Sequence, residues 1–128
     1  MPLDIKIKRT AAAHNQSTLT VELGGSLDTA TAPQLEKQLT AALDTSVHNL
    51  VFDLEKLTFI SSAGLRVFAA SRKFMKQQFE EVSFVNLQPQ IQEVFEIVKA
   101  LPGVSVFGSI AEFDTYLAAR QRKVVEGK

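Results

Sequence analysis

Leu50-Val51-Phe52-Asp53-Leu54-Glu55-Lys56-Leu57-Thr58-Phe59-Ile60-Ser61-Ser62-Ala63-Gly64-Leu65-Arg66 decides how this chain folds. Residues 49 to 54 are a near-continuous apolar run, the pattern of a strand in the middle of a sheet covered on both faces. A short connector follows, and Ser-Ser-Ala-Gly then opens a helix near Ser62. The helical spacing extends to about residue 78, so the segment is a strand–turn–helix unit with two serines at its turn.

Upstream, Leu3, Ile5 and Ile7 alternate with Asp4, Lys6 and Lys8, which predicts a strand with one wet face. Leu19, Val21 and Leu23 repeat that alternation, so residues 18 to 24 are expected to pair with the first strand as a hairpin. Residues 10 to 17 form the turn, and Gly24-Gly25 ends the second strand. Ala32, Leu35, Leu39, Ala42 and Leu43 recur at helical spacing after Thr31 and Pro33, predicting a helix over 31 to 44. Downstream, Val82, Phe84 and Val85 give a strand. Pro89 starts a third helix carrying Ile91, Val94, Phe95 and Val98, which Pro102-Gly103 stops. Val104 and Val106 give a last short strand, and Ile110, Phe113, Leu117 and Ala118 mark a final helix to about residue 121. The charged tail is expected to fray. The order β-β-α-β-α-β-α-β-α predicts an α/β fold, with a mixed central sheet of about five strands and four helices packed against it.

The 128 residues fit one domain, and a hydrophobic content of 45% can build a core. Lys plus Arg and Asp plus Glu number 14 each, and zero net charge argues against nucleic acid as the main partner. Cysteine is absent, which excludes disulfides, thiolate catalysis and Cys-based zinc sites. No signal-peptide core opens the chain and no apolar run reaches the roughly 18 residues of a membrane span, so a cytoplasmic protein is expected.

The residues that could carry chemistry cluster at the turn. A serine before a helix is a favoured N-cap worth roughly 1 kcal/mol. The same position also suits a phosphate, because unpaired backbone N–H groups and the positive helix end accept an anion. Ser62 and Ser61 are open to both readings, and Gly64 adds no side chain to crowd them. Asp28, after Gly25-Ser26-Leu27, is either a turn residue or a carboxylate at the mouth of the serine loop. The 62 to 78 helix carries two apolar arcs, one with Leu65, Phe68, Ala69, Met75 and Phe79, the other with Ala63, Val67, Ala70 and Phe74. One arc must pack on the sheet; the other either meets a neighbouring helix or serves as a docking surface, with Arg66, Arg72 and Lys73 at its rim. Enzyme readings fail: His14 and His48 lack metal-ligand spacing and read as solvated surface residues. There is no phosphate-binding loop and no nucleophile elbow, and Asp53 with Glu55 reads as a solvated strand end. No cofactor or metal is expected.

Gly25-Ser26-Leu27-Asp28, Leu50-Val51-Phe52-Asp53-Leu54 and Phe59-Ile60-Ser61-Ser62-Ala63-Gly64-Leu65-Arg66, in that order and spacing, resemble the STAS domain of bacterial anti-sigma factor antagonists. The resemblance places a STAS domain over residues 5 to 118, with 119 to 128 as the frayed tail. It implies a partner switch. The unphosphorylated antagonist binds an anti-sigma factor that is also an ATP-dependent serine kinase, and the client sigma factor is freed. Phosphorylation of one loop serine ends binding, and a PP2C-type phosphatase resets the cycle. The family's Asp-Ser-(Ser/Thr)-Gly pattern falls on Ser61-Ser62-Ala63-Gly64, so the implied phosphorylation site is Ser62, with Ser61 as second candidate. Ser61 stands where the family has Asp, which removes one charge beside the hydroxyl. The implied partner surface is Asp28, Ser61, Ser62, Ala63, Gly64, Arg66, Val67 and Ala70. A bound phosphoryl group is expected to act by local repulsion and steric exclusion. The alternative is a STAS adaptor without phosphorylation, a subunit of a larger sensory or transporter complex, in which Ser62 is only a cap.

Overall fold

The computed structural model describes residues 2–11, 17–100 and 109–127. Its elements run β1 (Leu3–Ala11), β2 (Ser17–Leu27), α1 (Ala32–Ala42), β3 (Val47–Ile60), α2 (Ser62–Lys76), β4 (Glu81–Val85), α3 (Pro89–Ala100) and α4 (Ile110–Glu126). The class is the expected α/β fold with four helices. Four strands are described, in the order β1-β2-β3-β4; the strand expected through Val104 and Val106 lies outside the described residues.

β1 and β2 form the expected antiparallel hairpin, with Ile5 opposite Leu23 and Ile7 opposite Val21. β2 pairs parallel with β3, and β3 parallel with β4. Right-handed crossovers in one direction stack α1 and α2 on the same face of the sheet. The central strand is therefore one-sided, not covered on both faces. Leu50, Phe52 and Leu54 are fully buried, while Val51 and Asp53 on the opposite pleat are half-exposed. The buried pleat carries an aromatic cluster: Phe52 stacks on Phe84 at 5.4 Å and meets Phe68 from α2 at 4.7 Å, and Phe95 from α3 closes on Phe84 at 5.2 Å.

Several local expectations change. Gly24-Gly25 does not end β2. It forms an irregularity, with register shifts on both sides, and the strand continues to Leu27. Gly25 has φ of +88°, and a Cβ there would lie 2.1 Å from the Pro2 carbonyl oxygen, so glycine alone fits. The connector after Leu54 is also strand, to Ile60. Finally, the tail from Arg120 is helical to Glu126, where Gly127 in the left-handed region caps α4. Arg120 pairs with Glu93 of α3 at 2.6 Å, and Gln121 is buried. That pairing, by hydrogen bonding first and charge second, raises the Arg120 pKa further above its ordinary value. Phe79, expected on an apolar arc, lies beyond the end of α2 and is exposed. No helix among the described residues is long and apolar enough to cross a membrane.

Candidate functional site

The site forms where β2 and β3 end side by side. Continuation of β2 through the glycine irregularity pairs Leu27 with Ile60, and the Leu27 carbonyl accepts the Ser61 N–H at 2.9 Å. This pairing joins the two stretches that the sequence left separate, because Asp28 follows Leu27 directly. Asp28 is half-buried and faces its own loop. Its Oδ1 accepts from the backbone N–H groups of Ala30 and Thr31, at 3.0 and 3.1 Å, and so caps the entry to α1.

Ser61 and Ser62 are held in different ways. Ser61 is the N-cap of α2, its Oγ accepting from Ala63 N–H at 3.3 Å. Ser62 is the first helical residue, and both its polar groups go to one carboxylate. Its N–H donates to Asp114 Oδ1 at 2.7 Å, and its Oγ–H donates to Asp114 Oδ2 at 2.9 Å. The positive end of α2 thus already holds an anion, supplied by α4. Ser62 is 7% exposed and Ser61 6%.

Gly64 is buried, and its missing side chain matters for packing. A Cβ on Gly64 would lie 2.6 Å from Leu27 Cγ and 2.9 Å from Ile60 Cγ1, so its absence lets α2 seat against the two strand ends. Val67, three residues on, is buried as well, whereas Arg66 and Ala70 are exposed and Ala63 is half-exposed. Val67, Ala70 and Phe74, from the second apolar arc, face Leu39 of α1 and Leu43 just past its end across a groove of about 240 Å³. The structure thus brings Asp28, Ser61, Ser62, Ala63 and Gly64 to one corner, with Arg66 and Ala70 on the outer face of α2. His48 is half-buried; His14 lies outside the described residues. No group of three His, Asp or Glu among the described residues could hold a metal ion.

Sequence reasoning missed the residues that hold this corner from behind. β4 pairs β3 only from Asn49 to Asp53, and among the described residues no strand lies beside the rest of that edge of β3. Glutamine side chains bond to it there. Gln88 donates to the Glu55 carbonyl at 2.6 Å and Gln90 to the Thr58 carbonyl at 3.1 Å. Gln121 of α4 gives Nε2–H to the Ile60 carbonyl at 2.7 Å and accepts the Ile60 N–H at 2.9 Å. Asp114 and Gln121 lie two turns apart on one face of α4, with buried Leu117 between them. Two polar residues along the apolar arc of the last helix were the available signal.

Comparison with known proteins places the fold in a family. Residues 9–113 match the profile of the STAS domain. The chain is 43% identical over 75 residues to a Bordetella bronchiseptica protein named as an anti-sigma factor antagonist, BtrV; the match covers 59% of this chain and 65% of that protein's own length. It is 31% identical over 77 residues to the anti-sigma-B factor antagonist of Staphylococcus aureus, covering 60% of this chain and 71% of the relative. Among solved structures, the anti-sigma factor antagonist SpoIIAA in its unphosphorylated form superposes with a TM-score of 0.56 at 19% identity, over 72% of this chain and 83% of that one. The phosphorylated form of Bacillus SpoIIAA gives 0.54 at 18% identity, over 72% and 82%. By its sequence match and its fold, this chain belongs to the STAS domain family.

Proposed function

We propose that this protein is an anti-sigma factor antagonist switched at Ser62. Its unphosphorylated form binds an anti-sigma factor that is also an ATP-dependent serine kinase, and the client sigma factor is released. The kinase then transfers the γ-phosphoryl group of ATP to Ser62 Oγ. An Oγ–P bond forms, the bond to the leaving ADP breaks, and the hydroxyl proton passes to the kinase's base. The product no longer binds, and a PP2C-type phosphatase restores it by hydrolysis. The protein is thus a regulator and a substrate, not an enzyme.

One observation carries the reading: Ser62 opens α2 at the corner where the loop of Asp28 meets the end of β3. The named relatives supply the functional class. The partner is expected to contact Asp28, Ser61 and Ala63, then Arg66 and Ala70 along α2, with the α1–α2 groove receiving an apolar side chain. The adaptor reading has one observation on its side, the low exposure of Ser62 and its two bonds to Asp114.

The test uses the purified anti-sigma factor kinase of the native host. Ser62→Ala is expected to bind it and to stay bound when Mg-ATP is added. Ser62→Asp is expected to bind at least tenfold more weakly, which takes only about 1.4 kcal/mol. Equal affinity of the two variants would sink the proposal.

A further inference from the structure

We propose that Asp114 couples the phosphorylation state of Ser62 to the docking of α4. This rests on Ser62 as the modified serine and goes beyond it, because it makes the last helix a moving part of the switch. In the unmodified protein, Asp114 takes both the N–H and the Oγ–H of Ser62. That pair of bonds ties α4 to the first residue of α2, and it keeps the hydroxyl that must be phosphorylated turned inward against a carboxylate.

A phosphoryl group on Ser62 reverses the sign of this contact twice. The oxygen that gives its hydrogen to Asp114 Oδ2 has none left to give. A group carrying about −1.5 to −2 charges then stands beside the Asp114 carboxylate, which lies 2.9 Å from Oγ in the unmodified protein. No ion pair among the described residues involves Asp114. Both anions would also compete for the same Ser62 N–H at the end of α2, and only one can hold it. The phosphate is fixed to α2 by a covalent bond, so Asp114 gives way.

The fold determines how far the release runs. Asp114 lies in the N-terminal half of α4, whereas Gln121 and Arg120 hold the C-terminal half to Ile60 and Glu93. The segment from Ile110 to Leu117 therefore loosens first, while the far end stays clamped. Linkage works in both directions: a docked Asp114 opposes phosphorylation by the same factor with which phosphorylation opposes docking. Asp114 is thus a positioning residue, acting on the kinase reaction through the serine it holds.

The experiment installs phosphoserine at position 62 by genetic encoding and follows backbone amide hydrogen exchange in the full chain. Protection of the amides from Phe113 to Leu117 is expected to fall at least about tenfold, with little change in α1. Asp114→Asn keeps a carbonyl oxygen for the serine and removes the charge; in that background the phosphoserine effect should shrink to about threefold or less. Ser62→Asp provides a second route should the phosphoserine protein fail to fold, with the same loss of protection expected at those amides. Unchanged protection of α4 with phosphoserine in place, or an equal loss in the Asp114→Asn background, would overturn the coupling. The installed phosphate makes this result independent of whether any kinase acts on Ser62, so the coupling and the proposed function can fail separately.

Discussion

Replacing Gln121 by leucine tests whether side-chain amides really stand in for a strand along β3. Leucine has nearly the volume of glutamine, so the site, 2% exposed in the native protein, stays filled. The polar groups left behind carry the cost. Ser61 N–H already points to Leu27 on one side of β3, so the Ile60 groups point to the other side, where Gln121 is their partner. Leucine orphans both. Each buried backbone group left without a partner costs about 1–3 kcal/mol. Removing a buried amide returns about 1–2 kcal/mol of desolvation. Together the two groups cost about 2–6 kcal/mol and the amide returns about 1–2 kcal/mol, so the net loss centres on about 2–3 kcal/mol, which lowers the melting temperature by roughly 10 °C in a domain of this size. Urea unfolding followed by circular dichroism measures it directly, with a lower midpoint at unchanged slope. Gln121→Glu should be worse at neutral pH, since its second oxygen faces the Ile60 carbonyl, and should recover part of the loss in acid as the carboxyl gains a proton. A Gln121→Leu protein within about 0.5 kcal/mol of the native one would refute the reasoning, because that is the scatter of surface substitutions.

The other expectations concern the corner itself. Gly64→Ala gains about 1 kcal/mol of helix propensity, but its Cβ would sit 2.6–2.9 Å from Leu27 and Ile60. Such overpacking costs about 1–3 kcal/mol, so a net loss of stability is expected in chemical denaturation. Asp28→Ala removes the acceptor of two N–H groups before α1 and should cost about 1–2 kcal/mol, as lost helix caps do; a calorimetric midpoint checks it. Ser62→Ala gives up one charge-assisted bond to Asp114 while the N–H bond remains. A loss of about 1–2 kcal/mol is expected, and a larger one would mean that the serine is needed chiefly as structure.

Legibility in the sequence followed the range of the interactions. Alternation of Leu3, Ile5 and Ile7 with charged residues, and again of Leu19, Val21 and Leu23, gave the hairpin because one face of a strand is a local property. Helices α1 to α3 were placed within a few residues for the same reason. The ends of β2 and β3 were misread because what extends them is not local. Gly24-Gly25 has the composition of a terminator, but the backbone of Pro2, just before β1, packs against it and the strand runs on. Residues 55 to 60 lack a regular strand pattern because one of their edges is satisfied by Gln88, Gln90 and Gln121, the last 61 residues away. The serine pair was legible as a helix start; that one serine caps while the other is held by α4 was not, since Asp114 lies 52 residues further on. The charged tail read as frayed because its net composition hides the residues that anchor it, Arg120 on Glu93 and Gln121 on Ile60.

The central claim is that Ser62 is a switch. The most direct measurement is the intact mass of the protein purified from its native host under several growth conditions, with and without phosphatase, followed by peptide mapping. The account predicts a satellite about 80 Da heavier, one phosphoryl group, that phosphatase removes and that maps to Ser62. A single unmodified mass under every condition, or a phosphoryl group confined to Ser61, would contradict it.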